Sequence, residues 1–382
     1  MKRRSFLVGA AVAAALAGTL GTTTAHADTA AAQPPASALT LPAPTGHQPV
    51  GRATVHLRDE DRPDPWVPAE KRELMVSLWY PATAPSGTPA PYMTSGESER
   101  YTAAVRLGLP ADLFTKVGSH ATVDARPVRV PGGLPLVILS PGFGMPRATL
   151  TGMAEELASR GYAVAGIGHN YEADGISFPD GHTTSCVACE ERDKDVDKTY
   201  AKVGAVRAED ISYVIDELTA KRPAGKSGPV VDPGRIAVVG HSAGGFSTVP
   251  AMLKDPRVKA GVNMDGNFRY PDHTTPVNRP LLMLGNPGHV PGADSTWDDT
   301  WKQFTGWKRW LSVDGTQHLS FTDLAPLAKQ LGMPLQALDG DRADAVAKSY
   351  VAAFVDAHLR GRNAPLFDGP SARFPEVRFH QP

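Results

Sequence analysis

The stretch that decides the fold covers residues 236–245 and reads IAVVGHSAGG. An apolar run, typical of a buried parallel strand, leads into a Gly-x-Ser-x-Gly pentapeptide centred on Ser242, and a helix-compatible segment follows at 246–253. This order is typical of a nucleophile elbow, a sharp turn in which residues with little or no side chain must flank the serine. The alternative is a glycine-rich turn whose serine merely caps the helix.

Strands and helices alternate along the rest of the chain. Apolar runs predict strands at 51–58, 73–80, 134–139, 162–168, 236–239, 258–264, 281–284 and 309–313. Helical segments are predicted at 97–117, 148–160, 200–221 and 341–359. Polar surface loops are expected at 59–70 and 170–198. The alternation predicts an α/β protein with a mostly parallel central sheet and helices on both faces. In such sheets ligands bind at the carboxyl ends of the strands, where the elbow lies.

The first 27 residues have the organisation of a secretory signal peptide. A basic start at residues 2–4 precedes an apolar segment and an Ala-x-Ala cleavage signal that ends at Ala27. The adjacent arginines favour twin-arginine export over ordinary unfolded export, and the interrupted apolar segment disfavours a retained anchor. Residues 28–45 are rich in Ala, Pro and Thr, which predicts disorder. We therefore expect a secreted protein with one domain over residues 46–382.

Charge and cysteine content limit the possible partners. The 382 residues include 39 Lys+Arg and 40 Asp+Glu, a formal net charge of −1, so we expect neither nucleic acid nor an anionic membrane as a partner. Neither stable membrane insertion nor an obligate protein partner is indicated. The two cysteines, Cys186 and Cys189, favour a small disulfide in a loop of an exported protein, with a redox pair or half a zinc site as alternatives.

A serine nucleophile needs a base in contact with it, and the base needs an orienting acid. In chains with this elbow the acid follows the serine and the histidine comes last. Asp265 directly follows the apolar run 258–264, so it would lie at the sheet edge beside the elbow. His318 lies in a turn-rich loop after the last strand and would reach over Ser242. Weaker candidates are Asp272, Asp294, Asp298 and Asp299 for the acid, and His273 and His289 for the base.

Acyl transfer also needs two hydrogen-bond donors for the oxyanion. The usual donors are the N–H after the nucleophile, here that of Ala243, and one from the loop after an earlier strand. Phe143, in the sequence SPGFG at 140–144, is the candidate in that loop. Its ring would line the acyl pocket or simply pack.

An acidic motif after the cysteines resembles the start of a calcium loop. Asp193, Asp195 and Asp197 have the required spacing, but the glycine of the sixth position is missing and Gly204 stands in place of the glutamate. We interpret the motif as the acidic start of the next helix and expect no metal.

These motifs resemble those of the α/β-hydrolases related to plasma platelet-activating-factor acetylhydrolase and, more broadly, of secreted actinobacterial lipases and esterases. The matching stretches are 77–81, 140–144, 156–169, 240–245, 264–266 and 315–321. The resemblance implies an α/β-hydrolase fold, with Ser242 as nucleophile, Asp265 as acid and His318 as base. It also implies an oxyanion hole made by the N–H groups of Phe143 and Ala243, and hydrolysis without metal or cofactor.

Two positions depart from the pattern of this family. Pro141 stands where a histidine is common, and Ala243 replaces a larger apolar residue. The predicted function is a secreted serine carboxylester hydrolase, an esterase or lipase, acting on a small-molecule or lipid ester. The alternatives are a phospholipid deacylase of the platelet-activating-factor acetylhydrolase type, a polyester hydrolase, or a non-catalytic binding protein with a hydrolase fold.

Overall fold

The computed structural model describes residues 39–85, 87–220 and 228–382. The predicted signal peptide at 1–27 lies outside these ranges. The strands in them are β1 Val50–Pro63, β2 Lys71–Pro81, β3 Ala121–Val123, β4 Leu134–Ser140, β5 Ala163–His169, β6 Ile176–Ser177, β7 Thr183–Thr184, β8 Val231–His241, β9 Val258–Met264, β10 Leu281–Gly285, β11 Lys308–Val313 and β12 Val377–His380. The helices are α1 Ser95–Val105, α2 Thr151–Ser159, α3 Val187–Lys194, α4 Val196–Thr219, α5 Ala243–Phe246, α6 Thr248–Lys254, α7 Ser295–Gln303, α8 Leu324–Gln330 and α9 Gly340–Arg360.

Ten of the described strands form one sheet in the order β12-β11-β10-β9-β8-β4-β5-β2-β1-β3. The strands from β11 to β5 in this order pair in parallel, whereas β12, β2 and β1 join through antiparallel pairs. The chain leaves β4 towards β5 on one side and leaves β8 towards β9 on the other. The strand order therefore reverses between β4 and β8, and such a reversal creates the crevice in which α/β proteins bind ligands.

The central strands are buried on both faces. Successive residues of β8 point to opposite sides, so that Val238 joins the apolar cluster that includes Val214 of α4, and Val239 joins the cluster that includes Val351 of α9. All four side chains are fully buried. This two-sided burial explains why the strand reads as a continuous apolar run. Together with the parallel central strands and the helices on both faces, it confirms the predicted α/β class.

The folded part of the chain begins earlier than predicted. Disorder was expected over residues 28–45, but residues 39–45 are packed against the domain. Leu39 and Leu41 are buried, and the N–H of Leu41 donates to the carbonyl oxygen of Gly118 at 3.0 Å. The two buried leucines and the backbone hydrogen bond order this segment, although its composition is typical of disorder.

The prediction of a long polar loop at 170–198 is wrong. The segment contains the hairpin β6–β7, helix α3 and the first residues of α4. Two apolar side chains of this segment, Ile176 and Ala188, are fully buried although the segment as a whole is rich in polar residues. Cys186 and Cys189 form a disulfide at the start of α3, as the loop interpretation expected.

Smaller differences concern β1 and the helix after Ser242. β1 continues through the expected loop to Pro63 with a register shift, and the helix predicted at 246–253 instead begins at Ala243 and is interrupted between α5 and α6. The start of α5 therefore directly follows the serine. Among the helices of the described ranges, none combines the length and apolar character needed to cross a bilayer.

Candidate active site

Ser242 lies in the sharp turn between β8 and α5. Its φ of 54° and ψ of −118° are rare for a residue with a side chain, and such strain is typical of functional turns. A Cβ on Gly240 would lie 2.1 Å from the carbonyl carbon of Gly244, and a Cβ on Gly244 would lie 1.9 Å from the carbonyl oxygen of Ser140. The glycines are therefore required because backbone segments approach each other too closely for any side chain.

Three side chains from distant parts of the sequence meet at this turn. Nε2 of His318 lies 2.9 Å from Oγ of Ser242, and Nδ1 of the same ring lies 2.7 Å from Oδ2 of Asp265. A carboxylate can only accept, so Nδ1 carries the proton and Nε2 offers its lone pair to the serine hydroxyl. Asp265 is fully buried, whereas the His318 side chain is half exposed. Asp265 thus fixes the imidazole on its buried side, and the exposed side of the ring is accessible to a substrate.

The side chain of Asn263 stabilises the turn that carries Asp265. The residue follows β9 with a φ of 61°, which is uncommon for a residue other than glycine. Asn263 holds this turn, because its Nδ2 donates to the Gly266 carbonyl oxygen at 2.7 Å and its Oδ1 accepts from the Gly266 N–H at 2.9 Å. The carboxylate is therefore directed by a turn that the neighbouring side chain stabilises.

Asn286 at the end of β10 also holds the carboxylate of Asp265. Its backbone N–H donates to Oδ1 at 2.6 Å, and its Nδ2 donates to Oδ2 at 2.9 Å. Burial opposes ionisation of Asp265, but the hydrogen bond with His318, the nearby histidine charges and the Asn286 N–H together hold its pKa below the ordinary value of 3.8. The acid is consequently a carboxylate at neutral pH.

A second histidine–aspartate pair lies behind Asp265. Nε2 of His289 is 3.6 Å from Oδ1 of Asp265, and Nδ1 of His289 is 2.7 Å from Oδ2 of Asp294. The His289 ring stacks on Trp297 with centroids 4.6 Å apart. Burial disfavours the charged imidazole, but the contacts with Asp294 and Asp265 raise its pKa above 6.5. His289 thus faces the acid and not the serine, although it was a weaker candidate for the base.

His241, directly before Ser242, holds the backbone of His318. Its Nε2–H donates to the His318 carbonyl oxygen at 2.8 Å, and the two rings lie 4.8 Å apart. Burial and the neighbouring His318 lower the pKa of His241 to about 3, so the ring is neutral over the ordinary pH range. A neutral ring can act as the donor in this bond without adding a charge beside the base.

The candidate oxyanion donors lie on two segments that are in direct backbone contact. Ala243 is the first residue of α5, and Phe143 lies in the loop after β4. A Cβ on Gly244 would come within 2.8 Å of the Pro141 carbonyl oxygen, which shows how closely α5 approaches that loop. Both N–H groups therefore belong to the backbone that surrounds Ser242.

Aromatic side chains form one wall beside the elbow. The ring centroid of Tyr200 lies 5.6 Å from that of Phe143 and 6.1 Å from that of Phe246. The guanidinium carbons of Arg192 and Arg269 lie 5.6 and 5.4 Å from the rings of Phe143 and Tyr200. We call Phe143, Tyr200 and Phe246 the aromatic wall. Phe246 is buried, and an arginine guanidinium lies over each of the rings of the half-buried Phe143 and Tyr200.

The remaining sequence candidates lie away from the serine or have other partners. Asp272 accepts hydrogen bonds from the backbone N–H groups of Thr274 and Thr275, and Asp298 accepts one from that of Gly292. Asp299 forms an ion pair with Lys302, and the ring of His273 stacks on that of Tyr270. Asp195 caps α4 by accepting from the Lys198 N–H at 3.1 Å, as expected for an acidic helix start. In the part of the chain that the structure describes, no group of three or more His, Cys, Asp and Glu side chains could hold a metal ion.

Sequence reasoning did not identify Asn286 and His241 as neighbours of the triad. Asn286 directly follows the apolar run 281–285, and a polar residue at the carboxyl end of a strand beside the acid was a usable signal. His241 offered no such signal, because its partner carbonyl is distant in sequence.

A solved ferulic acid esterase has the same fold. The structure "Ferulic acid esterase from Streptomyces cinnamoneus" aligns with 90% of this chain and 100% of its own chain, at 43% sequence identity and a TM-score of 0.79. The profile of the family described as "Platelet-activating factor acetylhydrolase, isoform II" matches residues 228–360, a range that includes Ser242, Asp265 and His318.

More distant curated relatives carry related names. A protein of Arthroderma benhamiae named "Probable 1-alkyl-2-acetylglycerophosphocholine esterase" is 26% identical over 65% of this chain and 66% of its own length. The platelet-activating factor acetylhydrolase of Cavia porcellus is 22% identical over 52% of this chain and 50% of its own length. The chain thus spans about half to two thirds of the length of these relatives. Together with the full-length similarity to the ferulic acid esterase, these matches show that the chain belongs to the platelet-activating-factor-acetylhydrolase-like family of carboxylic ester hydrolases with an α/β-hydrolase fold.

Proposed function

We propose that this chain is a secreted serine carboxylester hydrolase that works through an acyl-enzyme. The observation that carries the proposal is the unbroken series of hydrogen bonds from Asp265 to His318 and from His318 to Ser242, at 2.7 and 2.9 Å. Serine is a weak nucleophile on its own, and a base in contact with it that is itself held by a carboxylate is the arrangement that activates it.

The proposed reaction proceeds in two halves. Oγ of Ser242 attacks the ester carbonyl carbon while its proton passes to Nε2 of His318, and Asp265 stabilises the resulting imidazolium. Collapse of the tetrahedral intermediate breaks the ester bond, and the alcohol leaves with the proton from Nε2. A water molecule then gives a proton to His318 and attacks the acyl-enzyme, which releases the acid and restores Ser242.

We assign stabilisation of the oxyanion to the N–H groups of Ala243 and Phe143. The close approach of the Phe143 loop to α5 supports this assignment, because both backbones lie next to the turn that carries Ser242. Such fixed donors contribute most when the negative charge develops in the transition state.

The substitution Ser242→Ala tests the proposal. We expect kcat for p-nitrophenyl acetate to fall by roughly 10⁴-fold or more, while the melting temperature stays close to that of the wild type because the hydroxyl is not needed for packing. Turnover at the wild-type rate by the folded variant would contradict the proposed nucleophile.

A second candidate function is hydrolysis of esters of aromatic acids. The aromatic wall beside the elbow favours it, since a flat acyl group can pack against the parts of the Phe143 and Tyr200 rings that Arg192 and Arg269 leave exposed. The name of the Streptomyces cinnamoneus relative agrees with such a substrate. Aliphatic acyl groups, including those of phospholipids and polyesters, remain the alternative that the same catalytic groups would serve.

The substrate class can be tested with one pair of variants. We expect Tyr200→Ala to lower kcat/KM for methyl ferulate by roughly 10-fold or more relative to p-nitrophenyl acetate, because only the aromatic acyl group stacks on the ring. Tyr213→Ala is the matched control on the same helix, where the hydroxyl donates instead to the Arg58 carbonyl oxygen. Equal effects on both esters would favour aliphatic substrates, and an acyl series of two to sixteen carbons would then define the chain length.

Export is part of the proposal and can be examined separately. The basic start, the apolar segment and the Ala-x-Ala signal before Asp28 support cleavage after Ala27. We expect protein recovered from the culture medium to begin at Asp28, and the change of Arg3 and Arg4 to Lys to reduce the exported amount. An extracellular protein that retains residues 1–27 would contradict the predicted cleavage.

A further inference from the structure

The loop that carries Phe143 is held by a buried ion pair. Arg207 of α4 donates through Nη1 to the Pro141 carbonyl oxygen at 2.5 Å and through Nε to Oε2 of Glu172 at 2.7 Å. The backbone carbonyl oxygen of Glu172 accepts from the N–H of Gly144 at 2.8 Å. Arg207 therefore holds the first carbonyl of the loop, and the backbone of its partner Glu172 holds the last N–H.

The peptide with the Phe143 N–H lies between these two fixed points. Peptide groups are planar, so fixing the group after Pro141 and the group before Gly144 leaves few torsions that can rotate the group between them. Gly144 has a φ of 77°, a conformation that glycine adopts without strain. The carbonyl oxygen of the same peptide, that of Gly142, also accepts from the Met145 N–H at 3.2 Å. The direction of the candidate oxyanion donor thus depends on this turn together with Arg207 and Glu172.

The surroundings of the pair make it rigid. Arg207 and Glu172 are almost fully buried, and the other carboxylate oxygen of Glu172 accepts from Nε1 of Trp66 at 3.2 Å. Nη1 of Arg207 also donates to Oγ of Ser140, the last residue of β4, at 3.2 Å. A buried ion pair adds little net stability compared with apolar residues, so a role in positioning explains why a charge is placed here.

We infer that Arg207 is a positioning residue for the oxyanion hole, acting through the Pro141 carbonyl oxygen and, with Glu172, through the Gly144 N–H. The inference rests on the proposed function, because it assumes that the Phe143 N–H binds the oxyanion. Arg207 does not touch the substrate. Its planar guanidinium contacts three partners at once, which the single ammonium of a lysine at this distance does not reproduce.

The same buried region contains a matched control. Arg72 is as deeply buried as Arg207, but its hydrogen bonds go to Asp210, Asp64 and the carbonyl oxygen of Asn170. Its Nη2 also lies 3.8 Å from Oε1 of Glu172, beyond hydrogen-bond distance. Its replacement therefore perturbs a buried ion pair of similar burial without removing a hydrogen bond to Glu172 or to the 141–144 loop. A purely structural effect of Arg207 should therefore be reproduced at Arg72.

The experiment compares Arg207→Lys with Arg72→Lys at a temperature well below both melting temperatures. The readouts are kcat and KM for p-nitrophenyl acetate and the Ki of an aryl trifluoromethyl ketone, whose adduct with the serine carries an oxyanion. For Arg207→Lys we expect kcat to fall by roughly 10- to 100-fold, KM to change by less than about threefold, and Ki to rise by the same factor as kcat falls. For Arg72→Lys we expect kcat and Ki within about threefold of the wild type despite a lower melting temperature.

Two results would overturn the inference: wild-type kcat and Ki in Arg207→Lys, or equal losses in Arg72→Lys. If Arg207→Lys does not fold, the double variant Arg207→Met with Glu172→Gln decides, because it removes the pair without leaving an unpaired charge and keeps the backbone bond to Gly144. Wild-type turnover by this double variant would also refute the positioning role. Failure of the proposed function would be seen separately, as turnover by Ser242→Ala.

Discussion

At the scale of single residues, the hydrogen bond from His241 connects the turn that carries Ser242 to His318, the base in the proposed function. His241 shares the turn with Ser242, and its ring donates to the backbone of His318. The ring is fully buried, and Nδ1 has no hydrogen-bond partner in the described structure. Protonation would bury a charge beside His318, and the favourable effect of the Asp265 carboxylate does not offset the cost of burial, which is why the ring stays neutral.

This burial predicts a pH dependence of stability. The folded-state pKa of His241 is lowered to about 3 by burial and by His318, whereas the unfolded value is near 6.5. Between these values the unfolded chain binds a proton that the folded protein does not, so stability is lost as pH falls from about 6.5 to about 3. At pH 4.5 the loss from this residue is about 2 to 3 kcal/mol.

His241→Gln removes the titration and keeps an N–H donor. We expect the fall in free energy of unfolding between pH 7 and pH 4.5, measured by urea denaturation, to be smaller in the variant by about 2 kcal/mol. Other buried histidines such as His358 titrate in both proteins and cancel in the comparison. An identical fall in the two proteins would contradict the account of His241.

Residues of the candidate site could be predicted from the sequence where they follow the end of a predicted strand. Asp265 follows an apolar run directly, and His318 follows β11, the last strand that the sequence predicted, so the order along the sequence sufficed to nominate both; β12 was not predicted. Arg207 could not be recognised in this way, because it lies in the middle of a helix and its partner carbonyl belongs to Pro141. Only the packing of α4 against the sheet brings them together.

At the scale of elements, the site depends on the close approach of β4, β8 and α5. Gly244 is the point of contact, since any Cβ there would overlap the carbonyl oxygen of Ser140. By contrast, the structure of the segment 170–198 was not predictable, because the burial of Ile176 and Ala188 arises from tertiary contacts and leaves no periodic pattern. The strands with continuous apolar runs were predicted well, because burial on both faces of the sheet leaves a pattern that can be read from the sequence.

Gly244→Ala tests this close approach, with Gly234→Ala as a control in β8. A Cβ on Gly244 would lie 1.9 Å from the Ser140 oxygen, whereas one on Gly234 would meet only the side-chain oxygen of Asp232 at 3.2 Å. We expect Gly244→Ala to lose ester turnover by roughly 100-fold or more, or to fail to fold, because backbone must move. Gly234→Ala should retain activity with a near wild-type melting temperature. Equal behaviour of the two variants would argue against the required contact.

At the scale of the whole molecule, all described residues belong to one compact unit. The alternation of strands and helices was enough to predict its class, because each apolar run must be covered on both faces of a parallel sheet. The beginning of the unit was not predictable from composition. Leu39 and Leu41 stand among residues typical of disorder, and only their burial shows that they belong to the domain.

Truncation tests this boundary. A chain that begins at Leu39 should unfold at the temperature of the mature protein, whereas one that begins at Gly46 loses the burial of Leu39 and Leu41 and the bond from Thr45 to Glu156. We expect the shorter chain to be less stable by roughly 3 to 6 kcal/mol, which urea denaturation would measure. Equal stability of the two chains would show that residues 39–45 are dispensable for the fold.

The central claim is that His318 and Asp265 make the hydroxyl of Ser242 reactive. Labelling with a fluorophosphonate followed by mass analysis of the peptides tests it most directly, because an activated serine reacts and an ordinary one does not. The account predicts one adduct, on Ser242, absent in Ser242→Ala and strongly slowed in His318→Ala. An enzyme that hydrolyses esters but remains unlabelled at Ser242, or that is labelled there at an unchanged rate without His318, would contradict it.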